Sequence, residues 1–101
     1  MKFAYAVSAE RSSFLFNVIG EKSRLKIIQA LFEKSLTATE IKNATKIEKS
    51  LVSKHLKILR ESKIVHAEKF GRHVHYTLNP KLVATDGRPS LYLSCCEVKL
   101  K

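Results

Sequence analysis

The chain contains no tryptophan, three glycines, two prolines and a single pair of cysteines, which stand side by side as Cys95 and Cys96. Neighbouring cysteines do not close a strain-free disulfide with one another, so no cross-linked scaffold can be read from them. No uninterrupted apolar run approaches the roughly 20 residues that a membrane span needs. Nor does any helix pattern pair a basic face with exposed Trp, Phe or Leu, as a membrane-surface binder would. Catalytic signatures are missing as well. There is no phosphate loop, no G-x-S-x-G, no H-E-x-x-H and no carboxylate pair with an evident cleft, so no enzyme activity is expected and no cofactor is required. Acidic residues are the remaining scarcity: nine Asp and Glu stand against nineteen Lys and Arg, a net charge of +10. An excess of that size implies a polyanionic partner.

What is present is globular. With 101 residues and 45% apolar content, the chain reads as one domain that buries roughly two thirds of its unfolded surface. Its start, Met1 to Val7, turns polar too soon for a secretory segment, so a cytoplasmic location with reduced thiols is expected. Alternation of Phe3, Tyr5 and Val7 with Lys2, Ala4 and Ala6 suggests a short first strand. A helix follows from about Ala9 to Ile19. Its stripe of Phe14, Leu15, Val18 and Ile19 suits either a dimer contact or the monomer core. Gly20 breaks the pattern, and a core helix from about Lys22 to Lys34 carries Leu25, Ile28, Leu31 and Phe32 on one side. Thr37 precedes Glu40 by a capping-box spacing and opens a short helix with Ala38, Ile41 and Ala44 inward.

Lys46 and Ile47 make a turn, Glu48 takes the cap position, and a second helix should end near Lys63. With Ser50 at zero and about 100° per residue, Leu51, Val52, His55, Leu56, Ile58 and Leu59 fall between roughly 80° and 240°. Lys49, Ser50, Ser53, Lys54, Lys57, Arg60 and Glu61 fill the other side. One face is thus buried, and the other carries the hydroxyls and ammonium groups that reach phosphates and base edges in a major groove. Ile64 to Lys69 and Arg72 to Leu78 then read as strands of a hairpin turning at Phe70-Gly71. Between Lys42 and Arg72 nine cations face three anions, so the charge excess sits on this unit. Two helices joined by a turn and followed by a hairpin make a winged helix-turn-helix, mostly α with a β-hairpin wing. Asn79-Pro80 ends the wing and Asp86-Gly87-Arg88-Pro89 marks another turn. Ser90 to Leu100 is expected as a last strand, pairing with the first.

Candidate DNA contacts are therefore Lys49, Ser50, Ser53, Lys54 and Lys57 on the second helix, Arg72 at the wing tip and Lys69 beside it. His55, within the apolar arc, reads as a buried hydrogen-bonded histidine and not as a ligand. Two metal-ligand sets come with plainer alternatives. If Lys69 opposes Arg72, then Glu68 opposes His73 and His66 opposes His75, all on one wing face. That face is either a polar solvent face or a zinc or nickel set. Cys95 and Cys96 are either small core or interface residues, or a soft-metal or arsenite effector site or a cross-link between two subunits.

The blocks Ser23-Arg24-Leu25-Lys26-Ile27-Ile28, Leu51 to Ser62 and Gly71 to Leu78 follow in an order and spacing that resembles the ArsR family of prokaryotic winged-helix repressors. The likeness covers about Val18 to Leu78. It implies a homodimer that binds a palindromic operator, with each second helix in the major groove and each wing on the adjacent backbone; many members are released by metal ions or arsenite. The chain departs from the family at the effector sites. Thr39-Glu40-Ile41-Lys42-Asn43-Ala44 lacks the family's cysteine pair, and the C-terminal metal-binding helix has no counterpart in the pattern.

The expectation is a single domain over residues 1–101, with a winged-helix core at about 18–78. Residues 1–17 and 88–101 would serve as dimerisation or accessory segments. The expected function is sequence-specific binding of double-stranded DNA as a transcriptional repressor. Its alternatives are a non-specific nucleoid protein, or a repressor responsive to thiol chemistry or soft metals.

Overall fold

The computed structural model describes residues 17–83, 90–93 and 96–99. Residues 17–19 are helical and Gly20 turns the chain into α1, Lys22–Leu31. Then come β1, Leu36–Thr37; α2, Ala38–Thr45; α3, Lys49–Glu61; and the antiparallel strands β2, Val65–Phe70, and β3, His73–Leu78. A 3-10 turn at Pro80–Leu82 leads to β4, Ser90–Leu93, and β5, Cys96–Lys99.

Each helix has a local reason to begin or end where it does. Glu21 caps α1 by accepting from the Arg24 N–H at 3.0 Å. Thr37 caps α2 with both bonds of a capping box: Glu40 N–H donates to Thr37 Oγ1 at 3.2 Å, and Thr37 N–H donates to Glu40 Oε1 at 2.8 Å. Two orphan donors are satisfied reciprocally. Lys46 ends α2 in the left-handed region, φ 63°. The far end of α3 closes through Lys63, also left-handed at φ 64°. Lys63 N–H donates to the Arg60 carbonyl and Ile64 N–H to the Leu59 carbonyl, each at 3.0 Å. This is the double closure of a Schellman ending, with lysine where glycine is usual.

The core collects Val18 and Ile19, Ile27, Ile28 and Leu31 of α1, Ile41 of α2, and Val52, Leu56 and Leu59 of α3. Leu36, Ile64, Val65 and Leu78 complete it from the sheet side. Full burial of such a side chain stabilises by about 1.5–3 kcal/mol, which is what holds α3 to the body. The sheet order is β1-β3-β2. β1 adds Leu36 opposite Tyr76 and Thr37 opposite His75, a pairing the sequence pattern did not announce because a two-residue strand has no period. It ties the capping box of α2 directly to the wing.

Several expectations are corrected. α1 stops at Leu31 instead of Lys34 and buries Ile27 as well as Ile28 and Leu31, with Leu25 and Phe32 packed at the margin. Ala44 is exposed, not inward. Steps of three residues advance about 300°, so each residue in the series Ala38, Ile41, Ala44 drifts roughly 60° from the last, and the third leaves the core face. Leu51 is 46% exposed, although it lies on the apolar arc of α3. It sits in the first turn, outside the buried row of Val52, Leu56 and Leu59.

The wing turns one residue later than expected. Gly71 and Arg72 form the two-residue loop, and Phe70 opposes His73. Gly71 has φ +60° while Arg72 is not left-handed, the pattern of a type II′ turn, which places glycine first. Ser90 to Leu100 is not one strand but contributes β4 and β5, an antiparallel hairpin with Leu93 opposite Cys96. The expected first strand lies outside the described residues, as do Cys95 and all but the end of the first helix.

Candidate nucleic-acid interface

The candidate interface is built on α3. Val52, Leu56 and Leu59 anchor it, and Lys49, Ser50, Ser53, Lys54 and Lys57 all project to solvent from the opposite side. The five expected contacts thus share one exposed surface on a rod fixed at its back. Arg72 is exposed in the wing loop, and Lys69 is exposed on β2. These two are not cross-strand partners, since Lys69 pairs with Val74. An open groove lined by Lys57, Arg60, Glu61, Val65, His66 and Ala67 separates the C-terminal half of α3 from the wing strand. Its cationic rim suits a passing phosphate backbone.

The start of α3 differs from the rest. Glu48 occupies the N-cap position, but its side chain caps no helical N–H. Its carboxylate instead accepts a hydrogen bond from Ser50 Oγ. The carboxylate still complements the positive end of the helix by charge.

His55 is half-buried, and its partner is Arg24 of α1, whose Nη1 lies 3.4 Å from His55 Nδ1. A guanidinium only donates, so in this contact His55 Nδ1 is the accepting atom. The same Arg24 donates through Nε to the Val18 carbonyl at 2.5 Å and through Nη2 to the Asn17 carbonyl at 3.4 Å. It therefore fastens the end of the preceding helix to α1 and α3 together. The sequence pattern marked Arg24 only as part of a similar block; nothing local to it indicates a partner 31 residues away. Glu21 is held below the usual carboxylate range, first by the Arg24 N–H it accepts from and also by the nearby positive charge.

The wing histidines are not paired as expected. The later turn moves every pairing by two residues, which keeps His66, Glu68, His73 and His75 on one face but changes their neighbours. Glu68 now opposes His75, His66 opposes Thr77 and His73 opposes Phe70. The His75 ring meets Phe70 edge-on, with centroids 5.4 Å apart. Among the described residues no group of three or more His, Cys, Asp or Glu side chains could hold a metal ion. Cys96 lies at the start of β5. Among the described residues no helix is long and apolar enough to cross a membrane.

Residues 21–67 match the family model of bacterial regulatory proteins of the arsR family. The transcriptional repressor SdpR of Bacillus subtilis is 31% identical over 65 residues, 64% of this chain and 72% of that protein. The chain belongs to the ArsR family. A transcriptional repressor SmtB homolog of Synechocystis is 33% identical over 70 residues, covering 69% of this chain and 53% of that protein, so the match spans about half of that relative's length. Among solved structures, a homodimeric winged helix-turn-helix DNA-binding domain from Mycobacterium bovis superposes with a TM-score of 0.65. It is 20% identical and the match covers 69% of this chain and 65% of that one, so the likeness is one of fold. This ArsR-family chain is a winged helix-turn-helix, with α2 and α3 as the helix pair and β2–β3 as the wing.

Proposed function

We propose that this ArsR-family chain is a sequence-specific, double-stranded DNA-binding transcriptional repressor of the bacterial cytoplasm that acts as a homodimer. α3 enters the major groove and reads base edges with Ser50, Ser53, Lys54 and Lys49, while Lys57 meets the backbone. Arg72 and Lys69 of the wing rest on the flanking backbone or minor groove. The segments before Val18 and after Gly87 supply the dimer contact. One observation carries the reading: the exposed face of α3 is a continuous set of Lys and Ser side chains backed by Val52, Leu56 and Leu59. The repressor names of the Synechocystis and Bacillus relatives and the homodimeric Mycobacterium domain support it.

The net charge of +10 favours a second reading, an architectural protein that coats DNA through phosphate contacts alone. Selection of bound sequences from a random duplex pool separates the two. A repressor enriches an inverted repeat and holds it about 10³-fold or more above random DNA, whereas a coating protein enriches none. Both lose affinity with salt, by roughly 10³ to 10⁵ between about 50 and about 200 mM if six to ten phosphates are neutralised, so salt dependence alone does not decide.

A further inference from the structure

We infer that Glu48 is a specificity-determining residue that makes the leading edge of the recognition helix an acceptor-only reader, selecting a base with an exocyclic amino group, adenine or cytosine, on the contacted strand. The inference rests on the DNA-reading role proposed above and deepens it. Three observations lead to it. First, Glu48 stands at the N-cap position of α3 and its side chain caps no helical N–H, so no cap hydrogen bond fixes where its carboxylate points. Second, its carboxylate takes the one hydroxyl proton of Ser50. Third, both residues are exposed, and Ser50 lies at the centre of the polar face between Ser53, Lys54 and Lys57.

The chemical consequence follows from the donor inventory. A serine hydroxyl carries one proton and two lone pairs and ordinarily turns to suit either kind of base edge. With the proton committed to a carboxylate, Ser50 Oγ offers lone pairs alone, and an ionised Glu48 has only acceptors to add. In the major groove, cytosine N4 and adenine N6 donate, while guanine O6 and N7 and thymine O4 accept. The Glu48–Ser50 pair therefore matches an amino group and opposes guanine or thymine at the same place. Glu48 has a second effect. It sets a negative charge beside Lys42 and Lys46, with which it lines one open pocket, and so repels phosphates that approach this edge out of register and lowers affinity for random DNA.

The test uses the full chain, a random duplex pool, and the variants Glu48→Gln, Glu48→Ala and Ser50→Ala, with Lys57→Ala as a phosphate-contact comparison. Thermal unfolding first establishes that all four fold. The wild type should enrich adenine or cytosine at one position of each half-site by about tenfold or more over guanine and thymine. Glu48→Ala frees the Ser50 proton, and Glu48→Gln adds an amide donor. Both should bring that position to within about threefold of indifference, leave other positions unchanged and bind random DNA several-fold more tightly. Lys57→Ala should weaken all sequences evenly. If the wild type enriches a site and the Glu48 variants keep the same base preference there, or change every position equally, the inference is overturned while the repressor reading stands. A wild type that enriches nothing overturns both.

Discussion

The two helices of the helix-turn-helix are secured in opposite ways. α2 has eight residues and is fastened at its start by a complete capping box and in its middle by Ile41, which is fully buried. α3 has thirteen residues, begins without any side-chain cap bond and is fastened at its far end. There Ser62, 1% exposed, donates to the Ile58 and Leu59 carbonyls at 2.8 and 3.2 Å, and Lys63 and Ile64 complete the closure. Short helices are marginal without such aids. The difference teaches that one helix can be fixed at its start and the other at its end: α2 closes its first turn on itself, while α3 leaves its first turn to the solvent face and anchors through the back and the tail.

Breaking the back of α3 should have the largest effect. Leu56→Ala, at a site 2% exposed, should cost about 2–5 kcal/mol in urea unfolding. Leu51→Ala, five residues earlier and 46% exposed, should cost less than about 1 kcal/mol by the same measurement, since little cavity forms there. A similar loss from both would remove the distinction between the anchored row and the free first turn. Exchanging the caps sharpens the comparison at a smaller scale. Thr37→Ala should cost about 1 kcal/mol, whereas Glu48→Ala should change stability by less than about 0.5 kcal/mol and register in DNA binding instead. At the tail of α3, Lys63→Gly should raise stability by up to about 1 kcal/mol, because the left-handed conformation strains every residue but glycine most lightly tolerates it.

The acid response of α2 gives a subtler test. The Glu40 carboxyl is held below its ordinary value, chiefly because the Thr37 backbone N–H donates to it. A folded-state pKa below the unfolded one means that the stabilisation is present above the ordinary glutamate range and is lost as pH falls through the folded value. Melting temperature should therefore drop between about pH 5 and about pH 3, and Glu40→Gln should flatten that part of the profile. The smallest effect is expected outside the helix pair. Replacing both Cys95 and Cys96 by Ser should leave DNA affinity within about twofold, with or without arsenite; a response lost in the double variant would assign them a sensing role.

Much of this contrast could be read along the chain. The capping box needs only Thr37 and Glu40 at their spacing, and the amphipathic split of α3 needs only the helical period. The face of the wing that carries His66, Glu68, His73 and His75 is the one its alternation predicts although the turn lies one residue later, because a two-residue shift in pairing preserves which side chains share a face. Other features depended on partners distant in sequence or on geometry that letters do not carry. The hairpin turned at Gly71-Arg72 because glycine takes the positive-φ first position of the loop, and that choice set Glu68 opposite His75, His66 opposite Thr77 and His73 opposite Phe70. The contact of Arg24 with His55 joins two helices whose spacing has no local signature.

The order of residues by itself determined the helix starts, the cationic face and the hairpin, since each is set by interactions within a few residues or by a period of the backbone. Tertiary structure alone decided that Leu51 is left open, that β1 joins the wing and that Arg24 of α1 meets His55 of α3. The physical reason is that burial, strand pairing and the orientation of an exposed side chain are settled by which groups compete for the same space and the same proton, and those competitors come together only when the chain has folded.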